Sequence, residues 1–453
     1  MIRRKKPSPK IVPSSPRWPR QDIAVAEEAG GQVGLLLWLR VRDVALWAAT
    51  PPEERRGLFR AVSPEHEEWE RDAAGVEALA PAIRTLAALV RYPELLTGTD
   101  AAAACSAISA WATATGKPEA ALHFAEAAAL ADPLNARLCA EAGTACVVAA
   151  SSTSSATAPQ SAAADAASRE ADRRAQIWFD RGIKVGRWTR QWEWYIRCRI
   201  RAGMQAYELG EYRRAMRSYR GARSTAIWRG FPDLAGKAHH AMMLIECAVG
   251  TYERAEANLN AALASYPVRY QRLPHLAHDA AYMFVCWGAF HAAMELLETV
   301  YPLIDKATER VAVMGTLARA AAGIGNRTRY QDAVADVLLY AALSDVNAAA
   351  ALVLAAEGAL EFSDWRRSAE LASYGLRIAE RRREREPQLR AKIVLERAAA
   401  QKIPEYPSIE AERIHRTTLV VLGRLSKLRA PTNPDGAQTE LRAELTKFTM
   451  SAR

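Results

Sequence analysis

The stretch GMQAYELGEYRRAMRSYRGA, residues 203–222, decides the fold of this chain. In it, Gly203 and Gly210 are followed by Ala215, Tyr219 and Ala222. A glycine at the end of a helix accepts the left-handed conformation that closes it. Small residues along the next helix, with a larger one between them, let two helix backbones approach closely. The stretch therefore reads as a helix, a glycine turn and a second helix packed antiparallel on the first.

The pattern recurs on both sides. Gly250, Ala255, Leu259, Ala262 and Pro267 continue it downstream, followed by Gly288, Ala293 and Leu297. Upstream, GKPEAALHFAEAAALADP supplies Gly116, Ala121, Ala125, Ala128 and Pro133, and weaker copies hold Phe179 and Gly182, then Ala372 and Gly375. Pro133 and Pro267 fall just beyond a second helix, where a missing amide is no loss. The small position of the second helix falls at Ala121, Ala175, Ala215, Ala255, Ala293, Tyr330 and Ser368, a period of about 38–40 residues. The longest interval contains SSTSSATAPQSAAADAAS, expected as a low-complexity insertion over 150–168. Tyr330 is large where a small residue is expected, and Ala333 takes its place if the GNRTRY turn carries a short insertion.

One hairpin cannot bury both of its faces, so neighbouring hairpins must stack into an array. These residues resemble the tetratricopeptide repeat superfamily in a lengthened form, over about residues 100–380. The resemblance implies an all-α, right-handed α-solenoid whose first helices line a concave surface.

Composition agrees. The 453 residues are 50% hydrophobic and 25% charged, and runs of β-branched residues between turn signals are scarce, which argues against a sheet protein. The expected organisation is a basic, disordered tail over 1–21, a helical capping bundle over 22–98, the repeat array over 99–386 and a C-terminal helical cap and tail over 387–453. Within the first bundle, Ser63-Pro64-Glu65 reads as an N-cap, a first-turn proline and a dipole-complementing acid, and TPPEE at 50–54 opens a short helix in the same way. Pro404–Pro407 marks a turn, and RAPTNPDGAQ a linker to a last short helix.

The formal charge of +10 is local. Residues 1–20 carry seven Lys/Arg and no acid, and residues 181–229 carry thirteen basic residues against three glutamates, leaving the rest mildly acidic. The most apolar stretch, 33–49, contains Arg40, Arg42 and Asp43 and so reads as a core helix rather than a membrane span. No apolar segment follows the basic start, so a secretory signal is not expected. The six cysteines form no CxxC pair and read as small buried helix residues in a reducing compartment. The chain is expected to be cytoplasmic.

Enzyme signatures are weak. GIGNRT at 323–328 lacks both a preceding strand and a following Lys-Ser/Thr, so it reads as a repeat turn rather than a phosphate loop. No GxSxG, HExxH or Cys/His nucleophile arrangement occurs. His275 and His278 share a helix face, yet zinc would need two more ligands, and His239, His240 and His291 with them read as partly buried or groove-lining groups. No metal, cofactor or catalytic residue is expected.

Two binding readings remain. Aligning the first helices by their closing glycines places Arg197, Met204, Tyr207, Lys237, His240, His275, His278, Tyr282 and Arg319 on the inner face. Cationic, imidazole and aromatic groups over an apolar floor suit a peptide or protein segment bearing carboxylates. Some tetratricopeptide proteins clamp a terminal carboxylate with Lys and Asn; Arg197 and Lys237 are placed to act similarly, but the matching asparagines are absent. The first reading is thus a non-catalytic interaction scaffold for an acidic segment. The alternative is a regulatory or nucleic-acid-associated protein using 181–229 and the basic tail. In GRWTRQWEWYIRCRIR at 186–201, three tryptophans interleave with arginines, a composition that can stack on unpaired bases or pack between repeats while the arginines reach solvent.

Overall fold

A computed structural model describes residues 23–60, 62–153, 162–267 and 270–428. The expected tail over 1–21, the RAPTNPDGAQ linker from residue 429 on and the last short helix lie outside these residues. All regular structure among them is helical, twenty α-helices and two 3-10 turns with no strand. They divide into two compact units, residues 1–153 with 166–194, and residues 154–165 with 195–453.

The first unit contains α1 (Ile23–Ala29), α2 (Gly31–Ala49), α3 (Pro64–Ala74), α4 (Ala80–Arg91), α5 (Gly98–Ala114), α6 (Pro118–Ala131), α7 (Ala136–Thr153) and most of α8 (Ala162–Trp188). The Ser63 hydroxyl accepts from the His66 amide at 3.3 Å and caps α3, worth about 1 kcal/mol. TPPEE yields only the 3-10 turn Pro52–Glu54. Arg40 shows why 33–49 tolerates charge in its middle: its guanidinium, 3% exposed, bonds Glu70 at 2.5 Å, and Glu70 in turn pairs with Arg91 at 2.6 Å. Much of the expected insertion over 150–168 is helix, because α7 runs to Thr153 and α8 starts at Ala162.

The second unit is a run of hairpins. α9 (Trp192–Glu208) pairs with α10 (Tyr212–Arg229), α11 (Pro232–Ala248) with α12 (Tyr252–Ser265), and α13 (Leu273–Cys286) with α14 (Phe290–Val300). α15 (Ala307–Gly323) and α16 (Arg327–Leu343) follow, then α17 (Ala348–Glu361) and α18 (Trp365–Arg382). α19 (Arg385–Ala399) and α20 (Ala411–Leu425) end the described chain. The 323–328 segment is a turn between α15 and α16, with Asn326 capping α16 through the Arg329 amide.

The hairpin turns share one geometry. Gly210 has φ 75°, and the next amide, of Glu211, reaches back to the Ala206 carbonyl at 2.7 Å. This closes the orphan carbonyls at the helix end. Thr251 to Glu246, Ala289 to Phe284 and Asn326 to Ala321 repeat that bond at 2.8–2.9 Å. The turn between α17 and α18 reaches the same conformation without glycine: Ser363 holds φ 57°, and Asp364 bonds Ala359.

The small position also has one geometry, four residues past the N-cap. Ala215, Ala255 and Ala293 occupy it after Glu211, Thr251 and Ala289, and are fully buried. Tyr330 occupies it after Asn326, and Ser368 after Asp364. No insertion shifts the register to Ala333. The room for Tyr330 comes from α17: a Cβ added at Gly358 would lie 2.7 Å from the tyrosine ring, and the Tyr330 hydroxyl donates to the Ala355 carbonyl at 3.0 Å.

Within this unit α11 packs on α13, α13 on α15, α15 on α17 and α17 on α19, whereas among the described residues no two second helices pack together comparably. From α11 to α19 the first helices thus form a continuous inner row, and the second helices stand outside it.

Candidate functional site

The inner row presents two chemically different regions. At one end, Arg197 and Arg201 of α9, Lys237 of α11, and Arg272 with Tyr270 just before α13 lie close enough to sense one another electrostatically. Arg201 and Arg272 are exposed and Lys237 is half-buried. Burial, and then the field of Arg197, Arg272 and Arg201, hold the Lys237 ammonium below its usual pKa, with Asp233 opposing. Arg201 keeps solvent contact, but partial desolvation of its side chain, and then Arg272 and Arg197, lower its pKa, with Glu208 opposing. Among the described residues neither Arg201, Lys237 nor Arg272 forms an ion pair within 4 Å. The Lys237 ammonium lies 5.9 Å from the Tyr270 ring centre, and Tyr270 stacks on Tyr266 at 4.3 Å. Like charges this close repel one another, and burial adds a desolvation cost to the lysine.

Further along, the inner face is closed by its own polar bonds. His240 and His278 flank the Asp279 carboxylate at 2.6 and 3.0 Å, and the far nitrogen of His278 meets the Thr316 hydroxyl at 3.0 Å. Burial alone would raise Asp279, but the two imidazole hydrogen bonds outweigh it and hold the carboxyl well below the usual range. His275 meets Glu309 at 2.9 Å. Arg390 of α19 bonds Glu357 through both carboxylate oxygens at 2.7 Å and donates to the Tyr282 hydroxyl at 2.6 Å. Tyr207 sits against Tyr212, ring centres 5.6 Å apart, and burial pushes its hydroxyl pKa up. Among the described residues, no three His, Cys, Asp or Glu side chains are placed to hold a metal ion.

The nine residues expected on the inner face therefore separate. Arg197 and Lys237 belong to the cationic end, and Met204 is exposed on α9 nearby. His240, His275, His278 and Tyr282 enter the polar bonds just described, and Tyr207 packs on Tyr212. Arg319 lines no open surface: at 1% exposure it is covered by the C-terminal segment and pairs with Glu361 at 2.7 Å. The sequence reading lacked Arg201, Arg272 and Tyr270. Arg201 stands one turn beyond Arg197 on the same helix, a spacing that could have brought it forward; the loop pair precedes α13, where alignment by closing glycines has no reach. All six cysteines are free, and all but half-buried Cys286 are buried.

The basic aromatic run is distributed between the two units, with Trp188 exposed in one and Tyr195 buried in the other. No helix among the described residues is long and apolar enough to cross a membrane.

No family model and no curated protein matches the chain. Solved structures do. A Rap protein complexed with competence and sporulation factor is similar at 10% identity and TM-score 0.49, over 79% of this chain and 99% of that one. Yeast Tom70 is similar at 12% identity and TM-score 0.40, over 86% of this chain and 67% of that one. The TPR domain of P58(IPK) is similar at 13% identity and TM-score 0.22, over 74% and 97%. The described residues are all-α, and the hairpins of the second unit, with their shared turn and small-residue position, form a solenoid of TPR-like helical repeats.

Proposed function

We propose that the protein is a non-catalytic interaction scaffold that takes an acidic segment of a partner protein at the cationic end of its inner helix row. The observation that supports this reading most is the gathering of Arg197 and Arg201 of α9, Lys237 of α11, and Arg272 with Tyr270 from the segment leading into α13. Carboxylates arriving there would gain charge-assisted hydrogen bonds from arginine and lysine, and the Tyr266–Tyr270 stack supplies an apolar edge for a neighbouring side chain. The His240–Asp279–His278 cluster beyond it is already satisfied and serves as a wall rather than a reaction centre.

The test is fluorescence anisotropy of the full chain with a labelled glutamate-rich peptide. The wild type binds, more weakly as salt rises, and Arg197→Glu/Lys237→Glu loses about tenfold or more in affinity while its helical circular dichroism is unchanged. A folded double variant that binds as well as wild type removes the site.

One observation favours the nucleic-acid reading at a different place. Trp228 on α10 is 72% exposed, and the Arg229 guanidinium lies 3.6 Å from its ring centre, a pairing suited to stacking on a base. It predicts single-stranded oligonucleotide binding lost in Trp228→Ala; no binding at low salt rejects it.

A further inference from the structure

After α19 the chain runs through residues 401–410 without regular structure and returns to the middle of the inner row. Tyr406 seats in a notch at the turn between α13 and α14. Its ring meets Phe290 edge-on, with centres 5.1 Å apart at 87°, and a Cβ added at Gly288 would lie 2.7 Å from it. Its hydroxyl donates to Glu361 at 2.7 Å, and the Arg319 guanidinium lies 5.4 Å from the ring centre. α20 then lies on α12, α13 and α14. It buries Val421 and Leu425, pairs Arg413 with Glu256, and donates from Arg424 to the Tyr266 carbonyl at 2.6 Å.

Three features distinguish this docking from a permanent cap. Among the described residues, no amide between 403 and 410 donates to another backbone carbonyl, so releasing the tether breaks no ladder. An open cleft of about 320 Å³ runs beside α20, lined by the polar side chains Glu256, Asn260, Arg413 and Thr417 among others, so solvent reaches the edge of the docked helix. The Arg319 Nη1, buried beside Tyr406, has no acceptor among the described residues, and a buried donor without a partner is a cost that a better-fitting occupant would remove.

We propose that the notch of Gly288, Phe290, Arg319 and Glu361 is a binding site for a tyrosine followed by a basic amphipathic helix, and that Tyr406 with α20 is its resident, displaceable occupant. A partner segment of that chemistry takes the notch when the resident arm leaves. The site does not depend on the acidic-segment reading: its ligand is basic, and the notch residues are distinct from the Lys237 cluster, which the arm meets only where Arg424 bonds the Tyr266 carbonyl.

The experiment uses the full chain carrying Tyr406→Ala and Arg413→Glu, and a fluorescein-labelled synthetic peptide spanning residues 401–428. The expected result is exclusion of the peptide by the wild-type chain, saturable binding by the variant, and binding about tenfold or more weaker for a peptide whose tyrosine is alanine. Equal behaviour of the two chains, absence of binding to a folded variant, or indifference to the peptide's tyrosine overturns the proposal. Should the variant lose helicity, hydrogen exchange on the wild type decides. Residues 403–425 exchanging through an opening that leaves α13 and α14 protected supports a displaceable arm; equal protection across all three refutes it.

Discussion

Arg390 donates to the Tyr282 hydroxyl at 2.6 Å, joining α19 to α13 across 108 positions of sequence. The same guanidinium holds Glu357 on α17 through both carboxylate oxygens. One side chain thus ties three elements of the inner row together.

Removing that side chain should leave the Glu357 carboxylate without its bidentate partner in a poorly hydrated place. Breaking a buried pair from one side costs about 3–5 kcal/mol. Arg390 retains some solvent contact, so the lower end applies, and Arg390→Ala should be about 3 kcal/mol less stable in urea unfolding. Arg390→Ala/Glu357→Gln should recover part of the loss. A single variant within about 0.5 kcal/mol of wild type would show that the tie carries no stability.

The large-for-small exchange at the α16 position predicts a coupled pair. Alanine at Gly358 is the better helix former, but its methyl would press on the Tyr330 ring. Overpacking of this kind costs about 1–3 kcal/mol, so Gly358→Ala should be destabilising. In a Tyr330→Ala background the same change should be neutral or stabilising. Additive effects in that double-mutant cycle would contradict the steric account.

Ser363 predicts a gain. Its φ of 57° is one that a residue with a Cβ adopts reluctantly, whereas the equivalent turns use glycine. Ser363→Gly should raise stability by up to about 1 kcal/mol, measured as the urea midpoint at unchanged slope. A loss of stability would mean that the hydroxyl supports the turn in a way its geometry does not reveal.

Asp279 sets an acid dependence. Its folded pKa lies below the ordinary 3.8 because hydrogen bonds from His240 and His278 overcome burial. The unfolded chain therefore takes up the proton at higher pH than the folded one. The contribution is complete above the ordinary carboxylate value and is lost as pH falls through the folded value. Thermal unfolding between about pH 2 and 7 should show a steeper acid decline for wild type than for Asp279→Asn, with the variant less stable at neutral pH. Parallel curves would show that this carboxylate is not the titrating group.

Local signals made the repeats legible. Gly210, Gly250, Gly288 and Gly325 sit at the left-handed turn positions that their spacing implies, and Ala215, Ala255 and Ala293 at the buried small position. Tyr330 was harder, because the residue that accommodates it, Gly358, lies on the following hairpin rather than in the same period. The candidate site was legible only in part. Arg197 and Lys237 follow from helix alignment, but burial of Arg319 depends on Tyr406 returning from far along the chain. No periodicity records such a meeting. Side chains that pair across more than a hundred positions, as Arg390 with Tyr282 and Arg413 with Glu256 do, become visible only when the chain is folded.

Photo-cross-linking tests the proposed recognition most directly. A glutamate-rich peptide with a benzophenone side chain is bound to the full chain, irradiated, and the attachment sites are read by mass spectrometry. Attachment concentrated on residues 197–204, 237–244 and 270–275, and suppressed by salt and by Lys237→Glu, is the predicted result. Attachment concentrated elsewhere, with these three segments unlabelled, would contradict it.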